Sequence, residues 1–83
     1  IPKPTPVSLS VTVWLPRPAN LPKNRMLPTV RPDHDNYLKL VSDALNGVAY
    51  VDDGQITDGR CKKRYCEPSM KPHIVIIVGL DTL

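Results

Sequence analysis

Proline most tightly limits where this 83-residue chain can form regular structure. Of its ten prolines, three alternate within residues 1–6, five lie within residues 16–32, and Pro68 and Pro72 frame a turn. Proline has no backbone N–H and a fixed φ, so it is excluded from helix interiors and from central strands. Residues 1–6 are therefore expected to form an extended lead-in, and residues 16–32 a loop without regular structure.

The segment between these two proline-rich stretches alternates strictly between apolar and polar residues. Its apolar set is Val7, Leu9, Val11, Val13 and Leu15. Alternation with a period of two predicts a strand over residues 7–15 with one buried face. Trp14 falls on the polar face. There it either packs beneath a helix or a partner, or offers a surface on which a nucleobase stacks.

The stretch that follows the loop is acidic, although the chain as a whole is basic. Six of the eight acidic residues lie between Asp33 and Asp58. Apolar residues recur within it at helical spacing, at Tyr37, Leu38, Val41, Ala44, Leu45 and Val48. This periodicity predicts a helix over residues 35–46, capped by Asp35 or Asn36 and stopped by the glycine that follows it.

Two pairs of carboxylates flank this helix. Asp33 and Asp35 lie at its start, and Asp52 and Asp53 follow it. A helix of about 12 residues is about 18 Å long, and about six extended residues cover about 20 Å. A strand over residues 48–51 that folds back along the helix is therefore expected to bring the two pairs together. Converging carboxylates require a cation, and hard oxygen ligands suit Mg²⁺ or Mn²⁺.

A nearby lysine adds to this hypothesis, and ordinary turn chemistry competes with it. Lys39 stands one helical turn after Asp35, and carboxylates, a divalent ion and a lysine together suit attack on a phosphodiester. The alternative is that the aspartates only cap the helix, that Asp35 and Lys39 form a surface pair, and that Asp-Asp-Gly forms a turn. An EF-hand loop fits poorly, because Tyr37 stands where the third ligand is needed.

Residues 31–56, RPDHDNYLKLVSDALNGVAYVDDGQI, resemble the signature of the RusA-type Holliday junction resolvases, small nucleases common in phages and prophages. The matching elements are D-x-D-N at Asp33–Asn36, Lys39, D-A-L-N-G at Asp43–Gly47 and D-D-x-Q-I at Asp52–Ile56. A match over 26 residues is far more specific than an isolated Asp-x-Asp. It implies a metal-dependent endodeoxyribonuclease that resolves four-way junctions by paired nicks in DNA recombination and repair.

The resemblance also implies roles for individual residues. The implied metal ligands are Asp33, Asp35 and Asp53. The metal would be Mg²⁺, with Mn²⁺ as a substitute; Lys39 would be needed for cleavage, and Asp52 and Asn36 would support the site. Because a four-way junction is two-fold symmetric and is cut on two opposed strands, a homodimer is expected. The alternatives are a non-catalytic nucleic-acid-binding module and a metal nuclease that acts on other branched DNA.

A single α+β domain is expected over residues 1–83, with the helix packed on a small mixed or antiparallel sheet of about four strands. The later strands are predicted at residues 48–51, 56–66 and 73–80. The continuous apolar run of the last one predicts a core strand covered on both faces. Members of the family usually carry a strand and a helix ahead of the region that begins here at Ile1. The resemblance therefore implies that this sequence lacks those elements.

Basic residues surround the acidic centre. The net charge is +3, the pI is about 9.1, and residues 1–32 contain five basic residues and no acidic one. This distribution suits a polyanion such as DNA. The candidate DNA-binding residues are Arg17, Lys23, Arg25 and Arg31 in the loop and Arg60, Lys62 and Arg64 on the strand at 56–66. The alternatives are a solvated loop and a charged edge strand that prevents aggregation.

Neither membrane insertion nor secretion is indicated. No run approaches the about 18 apolar residues that a membrane-spanning helix needs. The two cysteines are too few for the disulfide framework of a small secreted protein, so a reduced, cytoplasmic setting is expected.

Overall fold

A computed structural model describes residues 1–82, and within them the chain forms one α-helix packed on a three-stranded sheet. The elements are β1 (Val7–Leu15), α1 (His34–Leu45), a 3₁₀ turn (Asp53–Gln55), β2 (Ile56–Tyr65) and β3 (His73–Leu80). The α+β class and the bounds of β1 and β3 are confirmed, and α1 and β2 lie within one residue of their predicted bounds. No helix in this part of the chain is long and apolar enough to cross a membrane.

The sheet is mixed, with β1 between β2 and β3. β1 and β2 run parallel, and the connection between them contains α1, whereas β3 runs antiparallel to β1. Parallel neighbours require a long cross-over of this kind. The carboxyl ends of β1 and β2, where Leu15 pairs with Tyr65, therefore lie at the same end of the sheet as the start of α1.

The apolar face of β1 forms the core beneath the helix. Leu9 and Val11 are fully buried, and together with Val13 they pack against Val41 of α1. The side chains packed around this cluster are Leu15, Tyr37, Leu38, Leu45, Ile56, Cys61 and Val78. The apolar face of β1 thus packs against the apolar face of α1, as the two periodicities predict.

The chain turns sharply after α1 instead of forming a strand over residues 48–51. Gly47 has a φ of 79°, which glycine adopts without strain. The backbone N–H groups of Val48 and Ala49 then donate to the carbonyl oxygen of Leu45, at 2.9 and 3.0 Å. The prediction of that strand is wrong because these bonds wind the chain around the end of the helix. The described sheet accordingly has three strands rather than about four.

Tyr50 fixes this turn against the helix. Its side chain is buried, and its hydroxyl donates to the carbonyl oxygen of Ser42 at 2.6 Å. Burial raises the pKa of Tyr50, and the negative charges of Asp53 and Asp43 add to the effect. The segment after α1 therefore stays beside the last turns of the helix.

β3 is an edge strand, contrary to the expectation of a core strand covered on both faces. Its side chains remain substantially exposed, at 46% for Ile74, 43% for Ile76 and 62% for Ile77. The physical reason is that α1 packs mainly over β1 and β2, and Val78 makes the contact of β3 with the core cluster. Although its sequence is typical of a buried strand, β3 thus exposes apolar side chains and one unpaired edge.

Residues 16–32 form the irregular loop that their prolines predict, and Arg17 organises it. Arg17 donates to the carbonyl oxygens of Arg25 and Pro22, at 2.8 and 3.0 Å. Its guanidinium also lies over the ring of Tyr65, 5.3 Å from the centroid. The loop is therefore held against the end of β2.

Candidate active site

Asp33 begins the helix without using its carboxylate as a cap. Its backbone is extended, at φ −67° and ψ 154°, and its carbonyl oxygen accepts from the N–H of Asn36 at 3.1 Å. Its side chain makes no capping hydrogen bond. The interpretation in which this aspartate serves only as a side-chain cap is therefore wrong. Its exposed carboxylate is available at the positive end of the helix dipole.

Asp35 and Lys39 lie on the first turns of α1 and are both exposed. Between the residues that the structure describes, the two ion pairs join Lys3 to Asp52 and Arg60 to Asp58. Asp35 and Lys39 therefore do not form the surface pair that the sequence alone left open. Two free carboxylates and one free ammonium stand at the start of the helix.

Lys63 of β2 holds the segment that leads into this group. Its Nζ donates to the carbonyl oxygen of Pro32 at 3.0 Å and also to that of Val30. Sequence reasoning passed over Lys63 in favour of its neighbours. The alternation of a strand was the available signal: Lys63 shares the helix-facing side of β2 with Cys61, which packs on the core.

Asp52 lies in a different environment, at the other end of the helix. It caps the short 3₁₀ turn by accepting from the N–H of Gly54 at 3.2 Å, and its carboxylate is 3.1 Å from the Nζ of Lys3. The hydrogen bond from Gly54 lowers the pKa of Asp52, and Lys3 lowers it further. Lys3 is thus engaged in an ion pair with Asp52.

Gln55 joins three segments around Asp52. It is buried, and its Oε1 accepts from the N–H groups of Val51 and Asp52, both at 2.9 Å. Its Nε2 donates to the carbonyl oxygens of Ile1, Pro2 and Thr5 at 3.0–3.3 Å. The amide therefore ties the first residues to the turn before β2. In the sequence, the glutamine of the D-D-x-Q-I motif indicates a role for this residue, but its five hydrogen-bond partners are brought together only by the fold.

Asp53 lies beside Asp52 and Asp43. The hydrogen bond with Asp52, partial burial and the negative charge of Asp52 raise the pKa of Asp53, and Asp43 raises it further. Asp43 belongs to the end of α1, ten residues after Asp33, which corresponds to about 15 Å along a helix axis. The expected convergence of the two carboxylate pairs by a returning strand is therefore wrong, because the chain turns at Gly47.

This arrangement bears directly on a metal site. Among residues 1–82, no three Asp, Glu, His or Cys side chains are arranged to hold a metal ion. Within residues 1–82 of one chain, Asp33, Asp35 and Asp53 are therefore not gathered into one group of metal ligands.

The candidate DNA-binding residues fall in two regions. Lys23, Arg25 and Arg31 are exposed on the loop. Arg60, Lys62 and Arg64 lie on the face of β2 that points away from α1. Cys61, which packs on the core, points to the opposite face. Arg60 is engaged by Asp58 through two hydrogen bonds, at 3.1 and 3.2 Å, and Asp58 raises its pKa.

Comparison with known proteins identifies the family. The family described as endodeoxyribonuclease RusA matches residues 2–78. An uncharacterized protein of Bacillus subtilis (strain 168), YqaN, is 35% identical over 83 residues, which cover 88% of this chain and 56% of YqaN. The chain thus spans little more than half the length of that relative, and no solved structure matches it. Because the family match extends over nearly all of the sequence, the chain belongs to the RusA endodeoxyribonuclease family.

Proposed function

We propose that this chain carries the cleavage site of a divalent-metal-dependent endonuclease that resolves four-way DNA junctions by paired nicks. The observation that carries the proposal is the free pair of carboxylates, Asp33 and Asp35, beside the free ammonium of Lys39 at the start of α1. The family match supports the proposal, because this group contains the D-x-D-N pattern and the lysine through which the sequence resembles that family.

The chemistry of this group suits a phosphodiester. The positive end of the α1 dipole and the Lys39 ammonium attract a phosphate, and Lys39 stabilises the negative charge that develops on it during attack. Asp33 and Asp35 offer carboxylate oxygens that accept protons or bind a cation. Asn36 and Asp52 support the site, Asn36 from the same helical turn and Asp52 by fixing the turn that bears Asp53.

Mg²⁺ is the proposed cofactor, with Mn²⁺ as a substitute, because both ions prefer carboxylate oxygens. The free carboxylates of Asp33 and Asp35 support their part in binding it. Asp53 enters as the third ligand from the family motif alone, since in one chain it lies with Asp43 and Asp52. When bound, the ion would supply positive charge at the attacked phosphate.

Basic residues on both sides of the site are proposed to bind the DNA arms. Lys23, Arg25 and Arg31 precede Asp33 on the loop, and the β2 cations lie on the far face of the sheet. Contacts of this kind bind phosphates and carry little sequence information. Arg17 differs from the others because its guanidinium already holds the loop and covers Tyr65.

A homodimer is part of the proposal, and β3 is its proposed interface. No charged residue lies between Ile74 and Leu80, whereas the opposite edge strand, β2, carries a row of cations. Edge strands that stay unpaired are usually protected by charge or proline. Antiparallel pairing of β3 with β3 of a second copy would satisfy the edge. It would also supply the two-fold symmetry that paired cuts on opposed strands require.

A substrate panel tests this function. We expect the protein with Mg²⁺ to cut a four-way junction faster than a flap, a replication fork or a linear duplex of the same sequence. Preferential cutting of a flap or a fork would assign the enzyme to another branched DNA. Binding to junctions without cleavage in Mg²⁺ or Mn²⁺ would identify a non-catalytic nucleic-acid-binding module and overturn the proposal.

A further inference from the structure

A groove at the ends of β1 and β2 combines aromatic side chains with positive charge. Its volume is about 440 Å³, which lies in the range of sites for small ligands. The aromatic and charged residues that line this groove, called here the Trp14 groove, are Trp14, Arg17, Lys23, Arg64, Tyr65 and Glu67. Three cations face one carboxylate, so the groove favours an anionic ligand that also has a flat apolar part.

The flat surfaces of the Trp14 groove are held in place before any ligand arrives. Trp14 is stacked on His73 of β3, with ring centroids 6.1 Å apart and an interplanar angle of 20°. Arg17 covers Tyr65 and is itself fixed by two hydrogen bonds to loop carbonyl oxygens. A ligand that stacks here therefore does not have to order these side chains, which lowers the entropic cost of binding.

The cations of β2 lead into the Trp14 groove. Arg60, Lys62 and Arg64 share one face of the strand, so successive residues of this row lie about 6.6 Å apart. Arg60 is paired with Asp58, so Lys62 and Arg64 supply the net positive charge. Arg64 is the register partner of Trp14, which places the aromatic ring beside the last cation of the row. A polyanion that follows the row would thus reach the aromatic surface at its end.

We propose that the Trp14 groove binds an unpaired nucleotide of a DNA strand whose phosphates follow the cations of β2. The proposal rests on the proposed function in taking DNA as the ligand. A duplex keeps the faces of its bases inside the stack, whereas an unpaired nucleotide exposes them to aromatic rings. Such nucleotides become available where strands separate at a branch point. A groove for an apolar protein segment would not require three lining cations.

The only tryptophan of the chain provides the test, because its fluorescence reports on the Trp14 groove directly. The full chain is titrated in EDTA, so that no cleavage occurs, with single-stranded oligothymidylate and with a duplex of the same length. We expect the single strand to quench Trp14 and to bind more tightly than the duplex. Trp14→Leu should weaken binding of a labelled single strand by about fivefold or more, the effect typical of losing one stacked base.

Two lysine variants distinguish binding in the Trp14 groove from a general attraction of DNA to positive charge. Lys23→Ala removes a cation that lines the groove, and Lys71→Ala removes an exposed cation outside it. We expect only Lys23→Ala to weaken single-strand binding by more than about threefold, since one lost phosphate contact has a modest effect.

Each remaining outcome decides between explanations. Absence of quenching, with equal affinity for single strand and duplex, would overturn the proposal even if the enzyme cuts junctions in Mg²⁺. Quenching by an uncharged apolar peptide, with none by oligothymidylate, would assign the groove to protein docking and would also overturn it. Quenching by oligothymidylate in a protein that cuts no DNA would support the groove while the nuclease proposal fails.

Discussion

Lys63 and Pro32 are joined by a hydrogen bond of 3.0 Å between the lysine Nζ and the proline carbonyl oxygen. This bond ties β2 to the residue that immediately precedes Asp33. The position of the candidate site therefore depends on a side chain from the neighbouring strand as well as on the helix that bears it.

Replacing Lys63 by methionine should loosen this attachment. Lys63 is half-buried, so we expect Lys63→Met to lower the free energy of unfolding by about 1 kcal/mol, the usual net value of a hydrogen bond. Lys62→Met, at the exposed neighbouring position, should change it by less than about 0.5 kcal/mol. Urea unfolding followed by circular dichroism measures both. Equal losses in the two variants would contradict the role given to Lys63.

Gln55 should contribute more than any other polar side chain of the turn before β2. Gln55→Ala leaves two N–H groups and three carbonyl oxygens without their partner. We expect a loss of about 2–4 kcal/mol in the free energy of unfolding, because buried groups without partners are costly. Asn24→Ala, which removes an exposed amide, is the matched control. A loss below about 1 kcal/mol for Gln55→Ala would contradict the role of Gln55 in joining the three segments.

The two adjacent aspartates should affect stability in opposite directions. The pKa of Asp53 is raised, so its contribution to stability is complete below the ordinary value of 3.8 and is lost as the pH rises through its folded value. The pKa of Asp52 is lowered, so its contribution is present above 3.8 and is lost as the pH falls through its folded value. In EDTA at pH 7, Asp53→Asn should therefore raise the Tm and Asp52→Asn should lower it.

Thermal unfolding between pH 3 and pH 7 measures this contrast. The difference in Tm between the two variants should shrink as the pH falls, first above 3.8 as the Asp53 carboxylate becomes protonated and then below 3.8 as that of Asp52 does. A difference of the same sign and size at every pH would show that the two side chains act through packing rather than charge.

The open edge of β3 predicts that two copies of the chain associate through this strand. Ile77→Lys places a charge at the middle of the exposed strand, where Ile77 is 62% exposed. If two copies pair through β3, this variant should be monomeric by light scattering while its far-UV circular dichroism stays unchanged. Val48→Lys, at an 80% exposed apolar position outside the sheet, should leave the dimer intact. A wild-type protein that is monomeric at assay concentration would contradict the interface.

Much of the fold could be predicted because β1 and α1 have long and uniform periodicities and β3 is a continuous apolar run. The short run Val48–Val51 could not be assigned, because four apolar residues suit a strand or a turn equally. The turn is decided by the contact between Tyr50 and Ser42, which no local pattern reveals. The exposure of β3 was missed for a related reason. An apolar sequence predicts burial, but the width of one helix determines which strands it covers.

The candidate site could be predicted only in part, because some of its residues depend on local sequence and others on how the chain folds. The D-x-D-N motif and the lysine that follows it indicate Asp33, Asp35 and Lys39, and the structure leaves all three free at the start of α1. The position of Asp53 depended on the direction of the chain after Gly47, and a turn there leaves it beside Asp43. Lys63 and Gln55 act through backbone carbonyl and N–H groups that are distant in sequence, so their partners could be named only from the fold.

Cleavage of a four-way junction by Asp33→Asn tests the central proposal most directly. The measurement compares wild type, Asp33→Asn and the control Asp81→Asn in Mg²⁺, with junction affinity measured separately in EDTA. We expect Asp33→Asn to lose at least about 100-fold in cleavage rate, the scale of a lost catalytic group, while it binds the junction as tightly as wild type. Asp81→Asn should cleave normally. Cleavage by Asp33→Asn at the wild-type rate would contradict the account.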